Sequence, residues 1–323
     1  MDRPAVTARP TISLVVNPAS NKGAAAQVGV RVAERLASAA EVRLLSGTSQ
    51  AESVALLARA ADGADAVIVC GGDGIVHLAA NALAEGTVPL GIVPAGSGND
   101  AAGTLGMPDD PLLAADCLLA AVLAGSSTRI DLGFCEGTPV SPTATGRWWL
   151  GMLYAGFDSG VNERANRMRW PAGPSRYDLA IVAELARLRA VPMRLGLDGV
   201  QRDGPVTLVA VGNAPRYGGG KLMCPTATLD DGIFDITVVA PVSRLTLARL
   251  APKLPRAGHI GHPAVSQYRA SEVSLDAAGV ICYADGERVG PLPLTTRCVP
   301  NALPVLLPIG LLPPALSKSA PPG

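Results

Sequence analysis

Gly71, Gly72, Asp73 and Gly74 form a run of small residues around a single carboxylate. The run follows three consecutive β-branched residues at 67–69 and precedes a segment with helical spacing, which predicts a strand-to-helix turn. Glycines in such a turn let the backbone approach a ligand closely, and the N–H groups at a helix start attract phosphate. Because an acid among these amides would repel phosphate unless a cation lay between them, Asp73 predicts Mg²⁺ held together with a nucleotide.

A second loop of small and polar residues, 95–100, follows the predicted strand Leu90 to Pro94 and contains Ser97, Asn99 and Asp100. The carboxyl ends of parallel strands meet at one edge of a sheet, where open α/β folds bind ligands, so the two loops are expected to converge there. Gly-Gly-Asp-Gly alone is equally typical of an ordinary tight turn. The second loop, in matching strand-to-loop context, favours phosphate binding.

A polar turn also follows the predicted first strand, Thr11 to Val16. Asn17, Ser20 and Lys22 would present an amide, a hydroxyl and a cation at the same edge of the sheet. Asn and Ser are common at helix starts, so this turn taken by itself predicts only a helix cap.

Strand and helix patterns alternate through Pro94, which predicts right-handed crossovers and a parallel sheet. Strands are predicted at 11–16, 41–45, 67–69, 90–94 and from 128, and helices at 24–37, 51–61 and 111–123. From residue 131 the pattern changes to short alternating segments with frequent Gly and Pro, which predicts an antiparallel, sandwich-like second domain. Its strands are predicted at 148–154, 193–197, 206–212, 233–239, 272–275 and 280–283, with one long helix at 176–189.

These patterns predict an α/β nucleotide-binding domain over 1–130 and a β-sandwich domain with an inserted helix over 131–300. The proline-rich segment 301–323 is expected to pack back on the first domain. A net charge of zero and a pI near 6.8 argue against a nucleic-acid binder. The six cysteines lack C-x-x-C spacing and are typical of small hydrophobes in a reducing compartment. No apolar segment has the length and continuity of a membrane span, so a cytoplasmic protein is expected.

Five blocks in order resemble the diacylglycerol kinase catalytic-domain family of soluble lipid kinases, which includes bacterial diacylglycerol kinases, sphingosine kinases and ceramide kinases. The blocks are Asn17–Ser20, Gly71–Gly74, Pro94–Asp100, Gly156–Asp158 and Asp285–Glu287. The resemblance covers about Thr11 to Leu307, nearly the whole chain. It implies an N-terminal nucleotide domain like that of NAD kinases, a C-terminal β-sandwich domain, and ATP bound with Mg²⁺ in the cleft between them.

The resemblance also implies roles for individual residues. The positions matched to ATP contacts are Asn17, Pro18, Ala19, Ser20, Asn21, Ser46, Gly72, Asp73, Gly74, Ile75, Val76, His77, Leu78 and Ser97, with Asn99 and Asp100 beside them. Glu287 matches the family's proton acceptor. Asp73, expected to help hold Mg²⁺, is the second predicted catalytic residue. Thr228, Asp231 and Ile233 match a structural Mg²⁺ site, and Asp158 is a candidate for contacting the substrate.

Some positions depart from the family pattern. Asn21 replaces a usual Gly, Ile75 a usual Thr, Leu78 a common Glu, and Ala101 a common Phe. Loss of polar groups at Ile75 and Leu78 puts ATP affinity or nucleotide preference in question. The retained Asp73, Asn99, Asp100, Asp231 and Glu287 favour an active enzyme.

The predicted activity is phosphorylation of a lipid alcohol, with diacylglycerol as the default acceptor and phosphatidic acid as product. A sphingoid base, ceramide or NAD as acceptor stays open, as does a non-catalytic protein that binds lipid or nucleotide. Residues 147–194 hold eight arginines against four acids, together with three tryptophans, which predicts reversible docking on the inner face of the membrane. The alternative for this stretch is a solvated helix face with core tryptophans. The oligomeric state, a homodimer included, is left open.

Overall fold

The structure, a computed structural model, describes residues 9–17, 24–47, 49–136, 148–168, 170 and 175–309. The chain divides into two compact units. Unit 1 comprises Met1–Ile130 with Ala302–Pro314, and unit 2 comprises Asp131–Asn301 with Ala315–Gly323.

Unit 1 alternates strands and helices, as predicted. In order these are β1 (Thr11–Val16), α1 (Ala24–Leu36), β2 (Glu41–Ser46), α2 (Gln50–Ala60), β3 (Ala66–Gly71), α3 (Asp73–Leu83), β4 (Leu90–Pro94), α4 (Asp100–Thr104) and α5 (Pro111–Leu123). The strands pair in parallel in the order β2-β1-β3-β4. Val305 adds a parallel partner opposite Leu90.

Close packing in unit 1 depends on small residues at helix–sheet contacts. A Cβ atom on Gly29 of α1 would lie 2.7 Å from Val16 Cγ2, so α1 rests directly on β1. A Cβ atom on Gly91 of β4 would lie 2.9 Å from Leu118 Cδ2 of α5. Helix α5 begins where its sequence indicates, because Asp110 accepts hydrogen bonds from the N–H groups of Leu112 and Leu113.

Unit 2 is mostly antiparallel. Its elements are β6 (Trp148–Trp149), β7 (Met152–Gly156), α6 (Phe157–Arg167), α7 (Ser175–Ala186), β8 (Val191–Leu197), β9 (Val200–Val206), β10 (Leu208–Gly212), β11 (Arg216–Tyr217), β12 (Lys221–Leu222), β13 (Phe234–Val239), α8 (Arg244–Leu250), a 3₁₀ helix (Ala251–Arg256), β14 (Val265–Ala270), β15 (Glu272–Asp276), β16 (Ile281–Ala284) and β17 (Glu287–Pro291). Two further strands, β5 (Thr128–Cys135) and β18 (Leu294–Val305), each cross the division between the units in sequence.

The six-stranded sheet of unit 2 has the order β14-β13-β10-β7-β16-β17. A second antiparallel layer joins β18, β15, β8 and β9. Side chains of both layers, such as Leu153, Val209 and Phe234 from the first and Leu195 and Val273 from the second, share one buried core. The predicted fold class, a parallel α/β domain followed by an antiparallel sandwich, is confirmed.

Several predicted elements of unit 2 need correction. The predicted strand 148–154 is two strands, because the N–H groups of residues 150–152 bind the Asp285 carboxylate. The helix predicted at 176–189 is present as α7, which ends three residues earlier, at Ala186. The expectation that it is the single helix of this unit is wrong, because the described part of unit 2 also contains α6 and α8. Helix α6 escaped prediction because its buried apolar side chains are few, chiefly Val161 and Ala165, so it shows no clear 3.6-residue period. No helix among the described residues has the length and apolar character needed to cross a bilayer.

Candidate active site

The two predicted phosphate loops meet where β3 and β4 end. Gly71 lies opposite Pro94 in the parallel ladder, and the backbones that follow are in close contact. A Cβ atom on Gly96 would lie 2.3 Å from the Cα atom of Gly72, so no side chain fits at position 96. The convergence of the loops at the carboxyl edge of the sheet is therefore confirmed.

Asn99 shapes the second loop. Its backbone is left-handed, with φ of 56°, a conformation that Asn tolerates better than most residues. Its side-chain Oδ1 accepts a hydrogen bond from the Gly96 N–H at 2.9 Å, and its Nδ2 donates to the Gly96 carbonyl oxygen at 3.2 Å. The amide thus closes the 96–99 turn upon itself immediately before α4.

Asp73 ties the first loop to the second. It is the first residue of α3, where a negative charge interacts favourably with the helix dipole. Its Oδ1 accepts a hydrogen bond at 3.0 Å from the N–H of Ala101, in the first turn of α4. Its Oδ2 lies 2.8 Å from the place that a Cβ atom on Gly98 would occupy. The Asp73 carboxylate therefore links α3 to the first turn of α4, a structural role that the sequence did not indicate.

The donor set at this edge fits Mg²⁺. Among the described residues no cluster of three or more His, Cys, Asp or Glu side chains could hold a metal ion by itself. Asp73 and Asp100 stand in the first turns of α3 and α4. One or two carboxylates are what Mg²⁺ typically takes from a protein when phosphate oxygens supply its other ligands.

The predicted nucleotide contacts on α3 are buried. Ile75, Val76, His77 and Leu78 expose 7% or less of their surface. The apolar residues at 75 and 78 are thus core residues of this chain. The Asn81 side chain, which the sequence did not single out, donates to the His77 carbonyl oxygen at 2.9 Å.

The remaining predicted contacts of unit 1 lie at the ends of the neighbouring strands. Ser46 ends β2 opposite Val16, and both Ser46 and Ser97 are exposed. The Asn17 N–H donates to the Cys70 carbonyl oxygen at 3.2 Å, which holds the chain beside β3. Pro18, Ala19, Ser20 and Asn21 fall outside the described residues.

Glu287 follows a tight hairpin turn in unit 2. Asp285 and Gly286 both have positive φ, 52° and 87°, as a two-residue type I′ turn between β16 and β17 requires. The Asp285 carboxylate accepts hydrogen bonds from three consecutive N–H groups, those of residues 150, 151 and 152, at 2.8, 2.8 and 3.1 Å. The half-buried Glu287 pairs with Ala284 at the start of β17. The turn thus presents Glu287 on a firmly held backbone.

Asp158 lies in the first turn of α6 and is half-buried. The Tyr217 hydroxyl donates to its Oδ2 at 2.6 Å. Burial raises the pKa of Asp158, while the hydrogen bond from Tyr217 and the charge of Lys221 act in the opposite direction. The sequence pointed to Asp158 but gave no sign of Tyr217, because the two residues are far apart in the chain.

Thr228, Asp231 and Ile233 lie in the loop before β13. Asp231 Oδ1 accepts from the Ile233 N–H at 3.3 Å, and its Oδ2 forms an ion pair with Arg269. Thr228 Oγ1 is buried without a hydrogen-bond partner in the described part of the chain, whereas the buried Asp235 Oδ2 forms an ion pair with Arg269 Nε at 3.6 Å. A buried hydroxyl oxygen of this kind fits a cation that takes oxygen ligands, although the Arg269 guanidinium competes for both carboxylates of this region.

Asp131, which no pattern in the sequence singles out, is 2% exposed. Its Oδ2 accepts from the Gly232 N–H at 2.7 Å and its Oδ1 from the Asn301 N–H at 2.8 Å. Burial raises the pKa of Asp131, and these two hydrogen bonds oppose the increase. The only signal in the sequence was an acid between two apolar residues of a strand.

Comparisons with known proteins agree with this architecture. The model of the diacylglycerol kinase catalytic domain matches residues 11–135, and that of the YegS C-terminal NAD kinase beta sandwich-like domain matches residues 151–307. A diacylglycerol kinase of Mycobacterium tuberculosis (strain ATCC 25618 / H37Rv) is 41% identical over 301 residues, which are 92% of this chain and 95% of that protein. The chain belongs to the diacylglycerol kinase family.

Further matches are more distant in sequence. A diacylglycerol kinase of Staphylococcus aureus (strain Newman) is 27% identical over 233 residues, 71% of this chain and 70% of that protein. The crystal structure of a diacylglycerol kinase from Bacillus anthracis str. Sterne has a TM-score of 0.70 at 20% identity, covering 94% of this chain and 98% of that one. An NAD kinase from Archaeoglobus fulgidus, solved in complex with ATP, has a TM-score of 0.51 at 14% identity, covering 93% and 94%. At such identities the two structures show the fold alone.

Membership in the diacylglycerol kinase family confirms the predicted family and the prediction of an enzyme, a lipid kinase. The roles assigned to individual residues stay predictions.

Proposed function

We propose that the chain transfers the γ-phosphate of ATP to the hydroxyl of diacylglycerol, which yields phosphatidic acid. The observation that carries this proposal is the junction of the Gly72 and Gly96 loops, tied by Asp73, at the carboxyl edge of a parallel sheet. Relatives named diacylglycerol kinase, one of them 41% identical over 92% of the chain, support the choice of acceptor.

Unit 1 would hold the nucleotide. Backbone N–H groups of the two loops would cradle the phosphates, because close backbone approach is possible only where side chains are absent. Asp73 and Asp100 are the residues that would hold Mg²⁺ there. When bound, the ion would neutralise charge on the β- and γ-phosphates. Asp231, with Thr228 and Ile233, is proposed as a second, structural cation site.

Glu287 would accept the proton of the attacking hydroxyl. Phosphoryl transfer depends mainly on positioning and charge neutralisation, and a proton acceptor for an alcohol contributes typically ~10²–10⁴-fold. The hydrogen bonds that Asp285 makes with residues 150–152 support this role, since they hold the turn that leads into Glu287.

The lipid would be taken from a membrane by peripheral, reversible contact on the cytoplasmic side. Of the tryptophans in the basic stretch, Trp149 is buried and donates its indole N–H to Thr296 Oγ1, and Trp148 packs against Phe134. The exposed apolar surface of the stretch is Trp170, at 80% exposure, together with α7. On α7, Tyr177, Leu179, Ile181 and Val182 are 36–63% exposed. This apolar helix surface supports a membrane-facing role better than the charge of the stretch does.

A labelled-product assay tests the proposed activity. The full-length protein is incubated with γ-³²P-ATP, Mg²⁺ and vesicles containing diacylglycerol, sphingosine or ceramide, and separately with NAD in solution. Labelled phosphatidic acid as the main product supports the proposal. Label in another product reassigns the acceptor, and nucleotide binding without any product overturns kinase activity.

Replacing Glu287 with Gln tests the proton acceptor. We expect the turnover to fall by about 10²-fold or more, with ATP affinity little changed, because the amide cannot accept the proton. The matched control is Glu136→Gln, which removes a half-exposed carboxylate paired with Arg297 in the same unit. Full activity of Glu287→Gln would contradict the assignment.

A further inference from the structure

Three tyrosines of unit 2 form a layer beneath helix α6. Tyr154 of β7 lies centrally, with ring centroids 5.7 Å from Tyr217 of β11 and 6.3 Å from Tyr283 of β16. Each hydroxyl meets a side chain of α6. Tyr217 donates to Asp158 Oδ2 at 2.6 Å, Tyr283 donates to Glu163 Oε2 at 2.8 Å, and Tyr154 accepts from Asn162 Nδ2 at 2.9 Å.

This layer is more polar than helix packing requires. A buried hydroxyl needs a hydrogen-bond partner, whereas an apolar contact between α6 and the sheet would need none. The N-terminal cap of α6 does not account for Asp158 either. The Ser159 side chain bonds both the N–H and the carbonyl oxygen of Gly156 and so fills that role.

Only one oxygen of the Asp158 carboxylate is engaged in a hydrogen bond. Oδ2 accepts a hydrogen bond from the Tyr217 hydroxyl, while Oδ1 accepts none from the residues that the structure describes. The titratable groups that face the carboxyl are Tyr217, Lys221 of β12, and Tyr154 of β7. Burial raises the pKa of Tyr217 well above its ordinary value, so the phenol stays a donor.

We propose that Tyr217 is a positioning residue for the lipid acceptor: it fixes Asp158 through Oδ2 and leaves Oδ1 to accept a hydrogen bond from the lipid. The inference rests on the proposed function and adds a residue of the small β11–β12 hairpin to it. A hydroxyl-bearing lipid headgroup fits an ionised carboxylate oxygen, which is an acceptor only. Tyr217 itself need not touch the lipid.

Tyr217→Phe tests this inference, with Tyr268→Phe as the matched control. Tyr268 is a half-buried tyrosine of β14 that packs against Arg202, away from α6. Turnover of dioctanoylglycerol is measured across pH at saturating ATP, and the KM for ATP is measured separately. We expect kcat/KM for the lipid to fall about tenfold in Tyr217→Phe, as for loss of a hydrogen bond to a charged group, with the KM for ATP unchanged.

The pH profile separates positioning from simple support of the fold. The Tyr217 hydrogen bond holds down a pKa that burial raises, so its removal lets the pKa of Asp158 rise further. The acidic limb of kcat/KM for the lipid should therefore move to higher pH in Tyr217→Phe and stay in place in Tyr268→Phe. An unmoved limb together with an unchanged kcat/KM would overturn the inference.

Asp158→Asn completes the test. If Tyr217 acts through Asp158, adding Tyr217→Phe to Asp158→Asn causes no further loss, whereas independent losses would overturn the inference. A parental protein that makes no phosphorylated lipid would contradict the proposed function instead. A ¹³C NMR titration of the Asp158 carboxyl, with and without Tyr217→Phe, would then show directly whether Tyr217 governs its ionisation.

Discussion

Acidic and amide side chains of the sequence blocks bind backbone N–H groups in this fold. Asp73 accepts from Ala101, Asn99 from Gly96, and Asp285 from residues 150–152. Each of these bonds joins or closes a loop that carries predicted site residues. A substitution at such a position can therefore impair activity through the loop as well as through the reaction, and variants must be chosen to separate the two effects.

Asp73→Asn makes this separation in unit 1. The amide oxygen can still accept the Ala101 N–H, so the free energy of unfolding should change by less than about 1 kcal/mol. Loss of the charge should nevertheless reduce activity about a hundredfold and weaken its dependence on Mg²⁺ concentration. Asp73→Ala should lower both stability and activity. Chemical denaturation and steady-state kinetics over a Mg²⁺ series measure the two quantities, and normal activity of Asp73→Asn would argue against a metal role.

Because His259 is buried, we expect the free energy of unfolding to fall in acid. It is 2% exposed, its Nε2 lies 3.1 Å from the Met223 carbonyl oxygen, and burial lowers its pKa from the ordinary 6.5. The unfolded chain therefore binds the proton more readily. The contribution of neutral His259 to the free energy of unfolding is complete above about pH 6.5. It declines as the pH falls toward the lowered pKa of His259 in the folded state.

Unfolding free energies at pH 5 and pH 7.5 measure this effect. His259→Gln, which can still donate to the Met223 carbonyl, should reduce the difference between them. His262→Gln, at a half-buried histidine three residues away, serves as the comparison. An equal pH dependence in the parental protein and in His259→Gln would contradict the prediction.

The elements of the two units are assembled by different kinds of contact. In unit 1, glycines let helices and loops approach each other without intervening side chains, as at the contact between Gly72 and Gly96. In unit 2, α6 makes side-chain hydrogen bonds to Tyr154 and Tyr283 of the six-stranded sheet and to Tyr217 of β11, beside the apolar contact of Phe157. Close contact between the backbones at Gly72 and Gly96 brings together the two loops that are proposed to bind phosphate. The tyrosine hydroxyls of unit 2 can orient a carboxyl group such as that of Asp158.

Gly96→Ala tests the loop contact. A Cβ atom there would lie 2.3 Å from Gly72 Cα and 2.9 Å from Gly72 N, so the backbone must move. We expect a loss of about 1–3 kcal/mol in unfolding free energy, as in overpacked cores, together with weaker ATP binding. Gly103→Ala in α4 is the control, because nothing lies within 4 Å of its Cβ position and alanine favours a helix. Calorimetric titration with ATP measures the affinity, and thermal unfolding measures the stability. Undiminished ATP affinity in Gly96→Ala would count against phosphate binding by the two loops.

The residues assigned to the proposed reaction are divided between the two units. The glycine loops belong to unit 1, whereas Glu287, Asp158 and α7 belong to unit 2. A kinase acting on a membrane lipid must combine nucleotide binding with access to the bilayer. The apolar surface of α7 lies in the unit proposed to handle the lipid.

Val182→Glu tests the membrane contact. Val182 is 63% exposed, and a glutamate there would remove apolar contact with the bilayer and be repelled by anionic headgroups. Binding to phosphatidylglycerol-containing vesicles should fall about tenfold in a sedimentation assay, while ATP binding stays unchanged. Val200→Glu places the same charge at a valine of β9 that is 57% exposed and should leave binding nearly intact. Equal loss in both variants would indicate a general charge effect.

The amino-acid sequence by itself was sufficient for the features that depend on neighbours along the chain. The glycine-rich turns and the alternation of strands and helices in unit 1 follow from local steric preferences and local periodicity. For the same reason the strands of unit 1 agree closely with their predicted bounds.

Tertiary structure alone decided the features that join distant parts of the chain. Tyr217 and Asp158 are 59 positions apart, Tyr283 and Glu163 are 120 apart, and Asp131 binds residues 101 and 170 positions away. Such hydrogen bonds leave no periodic signal, because a polar side chain has the same pattern in the sequence whether water or a distant partner satisfies it. Helix α6, the role of Tyr217 and the burial of Asp131 could therefore be recognised only in the folded chain.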